Sequence, residues 1–157
     1  MSTAVLALSG AIGFVAGLRS LTAPAAVSWA AYAGLLNLQG SPLSFMGSTA
    51  AVAIFTVLAL AELVADKLAI TPSRINTGPL AGRILMGGFS GACLSVAGAA
   101  GVWPGAVAGG LGAVVGAFVG YHARRMLVRR LGVPDLAIAI PEDLIAIGLA
   151  CLIVGLR

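Results

Sequence analysis

The chain has 157 residues, of which 60% are hydrophobic and 9% charged, with a net charge of +4 and a mean hydropathy of +1.08. Soluble domains carry about 25% charged residues, so this composition excludes a water-soluble globular fold and points to one membrane domain. The positive charge is not a nucleic-acid signal, because the arginines sit beside apolar runs, where anionic lipid head groups are the nearest partners.

A spanning helix needs about 20 apolar residues, within a range of about 17–25. On that basis the runs predict six helices, over residues 3–18, 22–36, 48–67, 79–100, 104–131 and 141–156. The expected fold class is therefore an all-α integral membrane protein. It has about six transmembrane or re-entrant helices in one Gly-rich bundle covering residues 1–157. The first helix lacks a basic segment before it and an A-x-A cleavage site after it, so it reads as retained. Helices one and two are short, about 23 Å each. They form either a thin spanning hairpin or a re-entrant pair, and both options return the chain to the side it left. Pro24, Pro79, Pro104 and Pro141 stand at the start of runs, where a missing N–H costs nothing. The stretch from Asn37 to Pro42 and Gly101-Val102-Trp103-Pro104 carry turn chemistry.

Twenty-two glycines suit membrane helices, where small residues let backbones approach. Gly13/Gly17, Gly87/Gly91 and Gly112/Gly116/Gly120 form G-x-x-x-G steps. They mark close contacts, either within the chain or between protomers, and a homo-oligomer is expected. Cys93 and Cys151 fall in apolar runs and read as small packing residues.

Counting charges by side supports the six-element scheme. Arg19, Lys67, Arg74, Arg83, Arg124, Arg125, Arg129 and Arg130 fall on one face, and only Arg157 on the other. The positive-inside rule makes the first face cytoplasmic and places both termini outside. All five carboxylates also belong to the cytoplasmic half.

Residues 62–83 hold five of the fourteen charged residues between uncharged runs at 20–61 and 84–121. Glu62 and Asp66 are i, i+4 and share a helix face. They read either as anchors to Arg83 or Arg19, or as a cation or proton site, since ionisable groups near membrane depth usually face a bundle interior or cavity. Pro141-Glu142-Asp143 reads as a helix start with acids in the first turn, or as a second acidic pair converging on the first. These carboxylates and His122 are ligand types a divalent cation takes, but no spacing is metal-specific and no metal is predicted. In the Arg19 turn, Ser20 or Thr22 can cap helix two. A phosphate or carboxylate can dock among Arg19, Arg74 and Arg83; the alternative is plain capping with arginines at head-group level. Arg124, Arg125, Arg129 and Arg130 at the end of helix five are expected to contact anionic head groups. His122 beside them reads as an interfacial hydrogen-bonding residue.

No nucleophile constellation, zinc motif or phosphate-binding loop is present. The chain therefore reads as a non-enzyme without a cofactor.

Gly17-Leu18-Arg19-Ser20-Leu21-Thr22-Ala23-Pro24-Ala25, Glu62-Leu63-Val64-Ala65-Asp66-Lys67 with Thr71-Pro72-Ser73-Arg74, Gly120-Tyr121-His122-Ala123-Arg124-Arg125 and the late Glu142-Asp143 form an ordered set. In these motifs, over nearly the whole chain, the sequence resembles a family of small bacterial membrane proteins catalogued as domain of unknown function 4126. The resemblance implies a bacterial inner-membrane protein of the same architecture and supplies no activity. The expected function is a small transporter or channel-like permease for a small polar or anionic solute, with its polar site on the cytoplasmic half. The alternative is a non-transporting module that binds lipid or a partner protein.

Overall fold

The structure is a computed structural model that describes residues 3–67 and 75–156. Among these residues the chain forms six α-helices and no strand. They are α1 (Thr3–Leu18), α2 (Thr22–Tyr32), α3 (Thr49–Ala65), α4 (Thr77–Ala97), α5 (Val102–Leu131) and α6 (Asp135–Gly155), with a 3-10 turn at Ser44–Gly47 before α3. Helices α4, α5 and α6 are long and apolar enough to cross a membrane, while α1 and α3 are shorter apolar helices.

The centre of the fold is a three-helix contact in which α5 lies against both α1 and α4. Glycine makes it possible. A Cβ on Gly109 would stand 2.2 Å from the carbonyl oxygen of Gly87, and one on Gly13 would stand 2.0 Å from that of Gly109. Likewise a Cβ on Gly112 would lie 2.1 Å from Gly10 O, and one on Gly116 2.2 Å from Phe14 O. Backbone thus packs on backbone, the arrangement small-residue faces permit. The steps at Gly13/Gly17, Gly87/Gly91 and Gly112/Gly116 are used within the chain rather than left for a second copy.

Helices α2 and α6 pack on this triad, and α3 packs mainly on α2. Trp29 on α2 donates through Nε1 to Thr56 Oγ1 on α3 at 3.0 Å. Phe89 on α4 holds the start of α3 through ring contacts at 6.1 Å with Phe45 and 6.2 Å with Phe55.

Several predicted boundaries need correction. The second helix was expected over 22–36 but ends at Tyr32. Gly34 adopts a φ of +77°, and the Leu35 and Leu36 amides both return to Ala30 O. A left-handed glycine followed by such a return stops a helix. At 11 residues, α2 is about 16 Å long, half of a hydrocarbon core of about 30 Å. The chain beyond it is non-helical, with Leu36, Leu38 and Met46 buried in the core.

The sixth helix was expected to open at Pro141, yet it starts at Asp135 and carries Pro141 inside. Asp135, not Glu142 or Asp143, supplies the first-turn acid. Pro141 leaves the Ala137 carbonyl without its helical donor, which favours a bend there. The fourth helix starts two residues early, at Thr77, and ends at Ala97 rather than at 100, where Ala99 and Gly101 take positive φ values. The other ends agree or differ by no more than two residues, the usual range for helix termini.

Candidate functional site

Helices α1 and α2 meet at the Arg19-Ser20-Leu21 turn, which brings a helix C-terminus and a helix N-terminus side by side. The two ends carry opposite partial charge, and the chain matches each with an opposite full charge. Arg83 on α4 reaches the end of α1, where Nη1 donates to Gly17 O at 2.8 Å and Leu18 O at 2.7 Å. Glu62 on α3 takes the start of α2. Its Oε1 accepts from Ser20 N at 2.8 Å and Ser20 Oγ at 2.6 Å, and its Oε2 accepts from Leu21 N at 2.8 Å. The expected Ser20 or Thr22 cap is not made: Leu21 is the N-cap and no side chain of its own turn caps α2. A carboxylate from another helix serves instead, and an ionised acceptor makes the stronger bonds.

Arg19 projects from the same turn and is completely buried. Its Nη1 donates to Asp66 at the end of α3, and its Nη2 donates to Asp143 on α6. The ammonium of Lys67 sits 2.8 Å from the other oxygen of Asp143 and also donates to Leu63 O at 2.9 Å. Cations Arg19, Lys67 and Arg83 therefore converge with carboxylates Glu62, Asp66 and Asp143. Four helices and the α1–α2 turn meet there, and among the described residues the charges match in number. Arg19 Nε is buried without an acceptor.

Of the residues expected at the site, Arg19, Glu62, Asp66, Arg83 and Asp143 come together. Arg74 lies outside the described residues. Glu142 joins a second cluster: Arg124 donates to Asp135, through Nε at 2.8 Å and again through Nη2, and its Nη1 lies 3.5 Å from Glu142 Oε2. His122 stands apart, exposed on α5, with Nδ1 2.8 Å from Phe118 O of its own helix. Arg125, Arg129 and Arg130 are exposed along the last turns of α5. The guanidiniums of Arg19 and Arg83 are directed at internal acceptors, so an anion would have to displace those bonds to dock. Among the described residues no group of three His, Cys, Asp or Glu side chains is placed to hold a metal ion.

A different feature occupies the other end of α2. Where the helix stops, a cleft of 460 Å³ opens between Ala31, Tyr32, the 34–39 segment and the 3-10 turn. Ser28 Oγ donates to Met46 O at 2.7 Å, tying the turn to α2 beside it.

Over residues 6–156 the sequence matches the family described as domain of unknown function (DUF4126). The chain belongs to that family. Comparisons with curated proteins and with solved structures return no match. In this DUF4126 chain, sequence reasoning missed Lys67 as a member of the site. The signal was available: Lys67 directly follows Asp66 at the end of the third apolar run.

The Glu62 clamp gives a direct expectation. In Glu62→Gln the carboxamide keeps one acceptor oxygen and loses its charge, so one of the two backbone amides loses its partner. We expect a loss of about 1.5–3 kcal/mol, the scale of a hydrogen bond to a charged group, read by thermal unfolding in detergent. An unchanged midpoint would show that the turn holds without the clamp.

Proposed function

We propose that this protein is a small multi-pass permease, and not an enzyme, in which the Arg19–Asp66–Asp143–Lys67 network is a gate. The observation that carries this reading is the placement of α2. Its N-terminus is sealed by an ion-pair network, while its C-terminus runs into unwound chain beside an open cleft. Half-length helices that continue into irregular backbone are the usual setting of transporter sites. Irregular backbone at membrane depth is tolerated where it is buried or lines a water-filled cavity.

Mechanically, the glycine-packed α1, α4 and α5 form the rigid part, and α2, α3 and α6 rock against it. The gate joins the two sets, because Arg19 belongs to the first and Asp66, Lys67 and Asp143 to the second. Pro141 stands two residues before Asp143 and supplies the bend through which α6 swings. The unpartnered Arg19 Nε supports a switchable network, since a buried donor left unpaired weakens one state relative to another. The gate end carries the basic excess and is assigned to the cytoplasmic side of a bacterial inner membrane. Arg125, Arg129 and Arg130 contact anionic head groups there.

Cysteine accessibility tests the reading without knowledge of the solute. In a Cys151→Ser background, Ala23→Cys reports on the gate end, where Ala23 is fully buried, and Gln39→Cys reports on the cleft. A polar maleimide should label Gln39→Cys and spare Ala23→Cys. Adding Asp143→Asn should reverse the order of the two rates. Equal rates with and without Asp143→Asn, at both positions, would remove the gate and leave a static membrane module.

A further inference from the structure

We propose that the cleft at the end of α2 is the recognition site and that it takes an uncharged polyhydroxylated molecule, not an anion. This rests on the permease reading and specifies its substrate class.

The segment that lines the cleft alternates. Leu36 and Leu38 are buried, while Asn37 and Gln39 between and after them are exposed. A period of two is that of extended chain. The cleft is lined by the buried Leu36 and Leu38 as well as by the exposed Asn37 and Gln39, and Asn37 Oδ1 accepts from Gln39 N at 3.1 Å. Tyr32 and Ser44 complete the polar lining. Each of these four groups both donates and accepts hydrogen bonds, which is also the property of an alcohol hydroxyl. No charged residue lies anywhere from residue 20 to residue 61, so the cleft has no full charge to offer an ion. An anion entering it would be desolvated without a counter-charge. The volume of 460 Å³ falls within the range of about 300–1,000 Å³ for small-molecule sites.

Position agrees with chemistry. Helix α2 is about 16 Å long, so the cleft is separated from the Arg19 network by half a membrane thickness. The solute therefore meets dipoles on the cleft side and passes the ion pairs only when the gate opens. The arginines control passage in this scheme and do not choose the cargo.

Proteoliposomes containing the full chain provide the test, with xylitol as the uncharged probe and inorganic phosphate as the anionic one. After osmotic shrinkage, vesicle re-swelling measures solute entry. Xylitol should enter faster than in protein-free vesicles, with no such gain for phosphate. Gln39→Leu and Tyr32→Phe should each slow xylitol by up to about tenfold, the scale expected when a neutral hydrogen bond is lost. Tyr32→Phe removes only a hydroxyl and keeps the ring, so it guards against a folding defect in the other variant. Entry of phosphate without xylitol would overturn the substrate class and leave the permease standing. Xylitol entry equal in wild type and both variants would overturn the cleft as the site, again sparing the permease. Entry of neither probe overturns this proposal, and static cysteine accessibility alongside it would overturn the permease as well.

Discussion

Replacing Arg19 with methionine is expected to lower folded stability by about 3–5 kcal/mol, the scale for breaking a buried ion pair from one side. The side chain is fully buried and joins α1 to both α3 and α6 through two carboxylates. Without it, among the described residues, Asp66 loses its ion-pair partner and Asp143 keeps only Lys67. The cost should come from the stranded carboxylates and not from the lost packing, because methionine fills much of the same volume. Adding Asp66→Asn and Asp143→Asn to Arg19→Met should therefore restore most of the loss. Lys67, partly exposed, can turn to water in that variant. Thermal unfolding of the wild type, the single and the triple variants in one detergent measures both effects. A triple variant no better than the single one would mean that shape, not charge, makes Arg19 matter.

Gly109→Ala should be nearly as damaging although it adds only a methyl group. That methyl would sit 2.2 Å from Gly87 O and 3.1 Å from the Cα of Gly91. Both neighbours are backbone on α4 and cannot rotate away as a side chain can. Overpacking typically costs about 1–3 kcal/mol and occasionally more, and here the upper end is expected because helices must separate. Gly148→Ala provides the contrast, since nothing lies within 4 Å of a Cβ at that position. On helix propensity alone it should stabilise by about 0.5–1 kcal/mol. Unfolding midpoints for the pair should move in opposite directions. If both fall together, the α1–α4–α5 contact is looser than the backbone distances imply.

Charge and depth made the polar end of the bundle legible in the sequence. Charged residues in so apolar a chain have few places to go, so Arg19, Glu62 and Asp66 are expected at one end, although Glu62 takes Ser20 and Leu21 in place of the expected Arg83 or Arg19. The ordered polar motifs also pointed to the family. Glu62 and Asp66 do share one face, but they serve different ends. One clamps α2, and the other meets Arg19.

What the sequence left hidden was decided by tertiary contact. An apolar run such as Leu35-Leu36 reads equally well as helix or as buried extended chain. The return of two amides to Ala30 O, together with the positive φ of Gly34, ends the helix there and leaves Leu35 exposed and Leu36 buried. The alternation from Leu36 to Gln39 was the visible clue, obscured by its short length. Pro141 reads as a start because proline is best tolerated there, while Pro134-Asp135 just upstream carries an equally good start signal. Similarly, Ser20 and Thr22 suggested a local cap, because a carboxylate reaching in from 41 or 42 residues away leaves no mark in the spacing.

The Arg19 contacts also impose an order in time on the making of this protein. The cation is synthesised first, Asp66 follows 47 residues later, and Asp143 comes 124 residues after Arg19. Until then the first hairpin carries a charge destined for the interior with its final partner still unmade. The bundle therefore cannot lock from its N-terminal half alone.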